Sequence, residues 1–144
     1  MELYEAMSTL RAVRRLKPDP IPDDVQTRIL NAATWAPTGG NVQPWRMVVV
    51  TDPEKKQALE NLYRPYWEAY IPGYEAKMKN MPAEVLASTT RALDAGTYLA
   101  NHMHEVPLIA VLCFNPEIMT ITDIDQPRTS VVGGGSVYLS LIHI

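Results

Sequence analysis

A chain of 144 residues, 47% hydrophobic and 20% charged, carries enough apolar material for one globular domain with a real core. Its 13 basic and 16 acidic residues give a formal net charge of -3, without the clustered basic surface that a nucleic-acid partner requires. The longest apolar run, residues 106–114, is too short to span a membrane, and a single cysteine excludes a disulfide framework and points to a reducing cytoplasm.

The first predicted element is a helix over residues 2–10, with Leu3, Ala6, Met7 and Leu10 at helical spacing. A basic turn follows, Arg11-Ala-Val-Arg-Arg15, and then the breaker Pro18-Asp-Pro-Ile-Pro22. Pro22-Asp23-Asp24 is a helix start, its carboxylates placed to meet the N-terminal partial charge. That helix is expected to reach Trp35, with Val25, Ile29, Ala32, Ala33 and Ala36 on one face. Residues 37–41 end it, residues 46–51 read as a strand, and Asp52-Pro53 opens the next helix.

Residues 63–81 are rich in Tyr, Trp, Met and Lys and read as irregular helical pieces broken at Pro65, Pro72 and Pro82. Residues 82–104 predict a further helix, interrupted or bent near Gly96. The unbroken apolar run over residues 108–114 predicts a buried strand, in which Cys113 is a small buried hydrophobe. A loop to Arg128 and the Gly133-Gly-Gly-Ser136 segment close the chain. Helices and strands are mixed and the two clear strands are separated by helical material, so the class is α/β or α+β.

Three stretches carry potential chemistry. In Arg11-x-x-Arg14-Arg15, guanidinium forks match phosphate oxygens, although basic residues after a helix also suit its dipole, and alone the turn reads more readily as solvated surface. In residues 36–45, Gly39 and Gly40 permit close approach of a ligand to the backbone, and Asn41 and Gln43 offer amides to a heterocycle edge. A helix C-cap explains the same residues equally well. Gly133-Gly-Gly-Ser136 fits neither nucleotide fingerprint. His102 and His104 lack companions at a zinc spacing, so no metal is expected. Tyr66, Trp67, Tyr70 and Tyr74 read as packing or, second, as the lining of a pocket for a flat substrate.

Taken in order, Arg11-Ala-Val-Arg-Arg-Leu-Lys-Pro-Asp-Pro-Ile-Pro and then Ala-Pro-Thr-Gly-Gly-Asn-Val-Gln-Pro-Trp before a strand resemble the nitroreductase family. The resemblance is close over residues 3–51, loose over 52–106 and moderate over 107–138. It implies an α+β flavoprotein of nitroreductase-like fold, a single domain over residues 1–144. It implies a homodimer with FMN held non-covalently between subunits, NAD(P)H (NADH or NADPH) as co-substrate, and a small-molecule electron acceptor such as a nitroaromatic or quinone. In that family the basic turn grips the FMN phosphate, which falls here to Arg11 and Arg14. A Pro-Ser-x-x-Asn loop contacts the flavin, which falls here to Pro37, Thr38, Gly39 and Asn41. Because the flavin carries the chemistry, no catalytic acid or base is assigned. Reductive dehalogenation, flavin breakdown, or a non-catalytic flavin-binding fragment are the alternatives.

The chain departs from the family pattern at Leu10 and Ala12, where a cation and a hydroxyl are common. A lost bond to a charged group costs about 1.5–3 kcal/mol, with the Ala12 backbone N–H left to serve. The family continues through a further helix, a Gly-rich turn and more strands, so the C-terminal part of the family domain is expected to be missing here.

Overall fold

The computed structural model describes residues 2–115. They divide into two units, the first built from residues 2–12, 20–49 and 110–115, the second from residues 13–19 and 50–109. The loop to Arg128 and the Gly133–Ser136 segment lie outside the described residues.

In the first unit, helix α1 (Leu3–Thr9) stops where the Ser8 and Thr9 hydroxyls turn back to donate to the Glu5 carbonyl, at 3.2 and 2.6 Å. Helix α2 (Asp23–Ala33) starts after Pro22, with Asp23 and Asp24 in its first turn as the dipole favours. Strand β1 (Trp45–Val50) pairs with strand β2 (Ile109–Phe114) in a two-stranded sheet. The Asn115 N–H donates to the Pro44 carbonyl at 2.8 Å, joining the start of β1 to the end of β2, so the strands are antiparallel. The core of the unit is Ala33 and Ala36 against Trp45, Met47 and Leu112. Two small residues on the α2 side let the chain lie close to the strand pair.

Side chains alternate across a strand, so one face of the pair carries Met47 and Leu112 and the other carries Arg46, Val48 and Cys113. Cys113 is therefore exposed, contrary to the burial that the unbroken apolar run predicts. An apolar run does not say which of its two faces is covered.

In the second unit, helix α3 (Pro53–Met78) is capped by Asp52, whose carboxylate accepts the Lys55 N–H at 2.9 Å. It runs straight through Pro65 and Pro72, where the sequence predicts breaks. The two prolines lie seven residues apart, about two turns, and share an exposed face. The carbonyls that lose a partner there belong to Asn61 and Glu68, residues that are also exposed, so these positions lie on the solvent side of the helix. On another face, Tyr63, Trp67, Tyr70 and Tyr74 form a ladder, with successive ring centroids 6.5, 5.5 and 5.3 Å apart. Such pairs each add about 0.5–1.5 kcal/mol beyond burial, which offsets part of the proline penalty.

Helix α4 (Ala83–His102) also runs unbroken through Gly96. Gly96 is buried, and a Cβ there would overlap the Trp67 indole, so the glycine serves helix–helix contact without interrupting the helix. The indole Nε1 donates to Thr97 Oγ1 at 3.0 Å, fixing the ring against α4. Among the described residues no helix is long and apolar enough to cross a membrane.

The α4 end is held by a polar cluster. Glu60 of α3 has no exposed surface. It accepts the backbone N–H of His104 at 3.0 Å, bonds His104 Nδ1 at 2.5 Å, and pairs with Arg64. Lys56, one turn earlier, donates to the Val106 carbonyl at 2.6 Å. The two side chains thus clasp the 3-10 turn Met103–Glu105 from either side.

Two outcomes are expected. Gly96→Ala gains about 1 kcal/mol of helix propensity but must displace the indole and its bond to Thr97. Overpacking costs about 1–3 kcal/mol and a lost hydrogen bond about 1 kcal/mol, so urea melts should show net destabilisation of about 1–3 kcal/mol; a stabilised variant would contradict this packing. For Glu60, burial alone raises the carboxyl, but the side-chain and backbone bonds from His104, the Gln57 amide and the His104 charge overcome it and hold it at about 2, against 4.5 ordinarily. Its folded value lies below the unfolded one, so its contribution is complete above pH 4.5 and is lost as pH falls through about 2. That span is worth about 3 kcal/mol, and stability measured across it should lose that much of its pH dependence in Glu60→Gln.

Candidate functional site

The loop between α2 and β1 owes its shape to an early helix end. α2 stops at Ala33, and the N–H groups of Thr34, Trp35 and Ala36 bond back three residues, at 3.0, 3.1 and 3.3 Å. The glycines are therefore not the helix cap. Gly39–Asn41 forms a separate 3-10 turn, closed by the Asn41 N–H donating to the Thr38 carbonyl at 2.9 Å.

Three residues of this stretch have left-handed backbones: Gly40 (φ 60), Asn41 (φ 54) and Gln43 (φ 50). Glycine adopts that region freely and asparagine tolerates it, but glutamine gains nothing from it. Its side chain explains how the conformation is kept. Gln43 donates to Thr38 Oγ1 twice, from its backbone N–H at 3.2 Å and from Nε2 at 3.1 Å. Nε2 also donates to Asn41 Oδ1 at 2.8 Å. Thr38 and Asn41, two of the residues singled out in the sequence, are thus organised by a third, Gln43. A hydroxyl that accepts twice still has its own O–H to give to a ligand. Pro37 and Asn41 are exposed and Thr38 is half-buried.

The basic turn divides. Arg11 and Ala12 are exposed residues of the first unit, and Arg11 Nη1 donates to the carbonyls of Ser8 and Leu10, at 3.1 and 2.6 Å. Those carbonyls end α1, so the guanidinium answers backbone groups that the helix leaves without partners. Arg14 and Arg15 belong to the second unit. The Arg15 guanidinium lies 4.2 Å from the centroid of the Tyr98 ring, a cation–π contact. Arg14 is half-buried and lines a cavity of about 520 Å³ between α3 and α4, together with the Tyr63–Tyr74 ladder. The aromatic residues therefore both stack and form a wall, so the two readings the sequence offers, packing first and pocket lining second, hold together. Glu60 and Lys56 are not evident in the sequence, because an isolated Lys or Glu on a helix reads as solvated surface.

Thr38→Val removes the oxygen that accepts both Gln43 bonds. It should lower the stability of the protein by about 1–2 kcal/mol in denaturant melts, whereas Thr38→Ser should stay within about 0.5 kcal/mol. Equal stability for both variants would mean that the hydroxyl does not organise the loop.

Comparison with known proteins gives consistent results. The family model described as Nitroreductase family matches residues 9–132. An NADH dehydrogenase of Thermus thermophilus is 51% identical over 49 residues, which are 34% of this chain and 24% of that protein. Iodotyrosine deiodinase 1 of Rattus norvegicus is 36% identical over 61 residues, 42% of this chain and 21% of that protein. The matches span about a quarter or less of the length of these curated relatives. Among solved structures, a nitroreductase with bound FMN from Desulfitobacterium hafniense aligns with a TM-score of 0.63 at 21% identity, covering 99% of this chain and 64% of that one. An iodotyrosine deiodinase bound to FMN and 3-iodo-L-tyrosine aligns with a TM-score of 0.62 at 21% identity, covering 99% and 67%. At these identities the structural likeness concerns the fold.

Proposed function

This chain belongs to the nitroreductase family, and from that premise we propose that it is part of an FMN-dependent oxidoreductase that uses NAD(P)H to reduce nitroaromatics, quinones or related small acceptors. The observation that carries the proposal is the family match over residues 9–132, which takes in both the basic turn and the Thr38–Gln43 loop. FMN, when bound, accepts a hydride equivalent from the nicotinamide and passes electrons to the acceptor.

The residues of this chain bind and orient. Arg11 and Arg14, with the Ala12 N–H, are assigned to the phosphate. The exposed position of Arg11 suits a doubly charged group that remains partly hydrated. Pro37, Thr38, Gly39 and Asn41 are assigned to the flavin and ribityl chain. The fit rests on the turn itself: Gly40 has no side chain to keep a ligand from its left-handed backbone, and Thr38, whose oxygen accepts twice, has an O–H to donate. Gln43 is a positioning residue acting through Thr38 and Asn41. The working form is taken to be a homodimer in the cytoplasm.

A second reading is reductive dehalogenation, favoured by the 36% identity to iodotyrosine deiodinase 1 over 61 residues. The two readings separate by product, an amine or hydroxylamine from a nitroarene against halide from a halophenol.

The purified protein should be yellow and release FMN on acid treatment. Arg11→Glu should weaken flavin retention at least about tenfold, as expected for one lost charge-assisted bond. Lys55→Glu, on the exposed first turn of α3, should leave it unchanged. A colourless protein that takes up no added FMN, or equal retention in both variants, would sink the assignment.

A further inference from the structure

The cavity between α3 and α4 has a specific composition. One wall is the aromatic ladder, whose residues 63, 67, 70 and 74 recur at the spacing of a single helix face. The opposite wall brings Ser88 and Thr89 of α4. Among the described residues on the wall, Arg14 carries the one charge. Its volume, about 520 Å³, falls within the ordinary range for small-molecule sites, about 300–1,000 Å³.

Packing alone does not account for this wall. A ladder that served only to join two helices would be covered by them, yet Tyr70 is 50% exposed and Tyr66, which also borders the cavity, is 79% exposed. Trp67, by contrast, is pinned, its indole seated on Gly96 and bonded to Thr97 at 3.0 Å. The result is a fixed ring at the base and open aromatic surface around it. Such a surface accepts another ring by offset stacking. A cation would also be drawn to the ring faces, but Arg14 repels it. An anion fixed to the edge of a stacked ring lies in the ring plane, clear of the negative ring faces and within the chemistry of the guanidinium and the Thr89 hydroxyl, the Ser88 O–H being given to the Val85 carbonyl at 2.8 Å.

We infer that the α3–α4 cavity binds a planar aromatic anion, with its ring on the Tyr63–Trp67–Tyr70–Tyr74 ladder and its negative group at Arg14. The inference rests on the oxidoreductase reading for the ligand's role as electron acceptor. It gives Arg14 a task toward the acceptor besides the one in the phosphate turn. Acceptors bearing a carboxylate or phenolate on a flat ring are then preferred over neutral ones of the same shape.

Titration calorimetry of the full chain with naphthoate and with its neutral isostere naphthamide tests the inference without any redox turnover. Naphthoate should bind at least about tenfold more tightly, as one charge-assisted contact provides. Arg14→Gln should bring the two ligands within about twofold by weakening only the anion, an effect that mere loss of packing would not produce. Tyr70→Leu should weaken both ligands alike, and Lys17→Gln, an exposed cation of the same basic stretch, should keep the preference. Equal affinity for the two ligands, no measurable binding of either, or loss of the preference in Lys17→Gln would overturn the inference. A colourless protein that still prefers naphthoate would remove the flavin reading and leave the pocket standing; a yellow protein without the preference would do the reverse.

Discussion

A carboxylate with no exposed surface must be answered by donors, and Glu60 organises the second unit because its donors come from two different parts of the chain. Moving an ion out of water costs several kcal/mol even after relaxation. Each hydrogen bond to a charged group returns about 1.5–3 kcal/mol, so several donors are needed before the site is favourable. Arg64 and Gln57 stand about one turn to either side on α3 and come with the helix. The other two, the backbone N–H and Nδ1 of His104, are separated from Glu60 by 44 residues and exist only when α4 has ended where it does. Lys56 adds the Val106 carbonyl, which lies just before β2. Closing α4 onto α3 and fixing the turn that follows α4 are therefore coupled, and the aromatic ladder acquires its facing wall as a consequence.

Much of this architecture was legible in the sequence, and the failures have identifiable causes. Asp23-Asp24 and Asp52-Pro53 announced two helix starts because capping and dipole effects are local. Both strands were visible as apolar runs, yet the exposure of Cys113 was not, because burial of a strand face depends on what packs there. Pro65 and Pro72 suggested breaks that did not occur. A proline's penalty is local, but whether a helix survives it depends on solvent access at one face and on stacking at another, and both are tertiary facts. The absence of an interruption at Gly96 has the same reason: the sequence shows a residue without a side chain and cannot show that an indole sits on the space.

The candidate site was legible in kind and less so in arrangement. Thr38, Gly39 and Asn41 were marked by family pattern and by turn chemistry, and they do form one hydrogen-bonded turn. The organising role of Gln43 was hidden, because an amide five residues from Thr38 is informative only once the backbone between them is known to curl back. In the basic turn, the family resemblance and not the spacing gives the cations a joint role. The structure adds what each touches: Arg11 the carbonyls at the end of α1, Arg15 the Tyr98 ring, and Arg14 the aromatic cavity. Direction of a long flexible side chain is set by its surroundings, which composition does not record.

The energetics of the Thr38–Gln43 turn bear on why such a loop would hold a ligand at all. Left-handed backbone costs about 1–2 kcal/mol at an ordinary residue, less at asparagine and nothing at glycine. The side-chain bonds that oppose this cost are three, each worth about 1 kcal/mol net. Placing Gly40 and Asn41 at two of the three positions brings the sum near balance, and only Gln43 carries the full penalty. A turn with so little surplus gains order from any molecule that bonds to its polar groups in the folded form alone, and it stabilises the fold in return. Among the described residues, the core of the first unit is two alanines against Trp45, Met47 and Leu112. A ligand held by this turn, as proposed for the flavin, would therefore stabilise the unit as it bound, with the strained loop as the link.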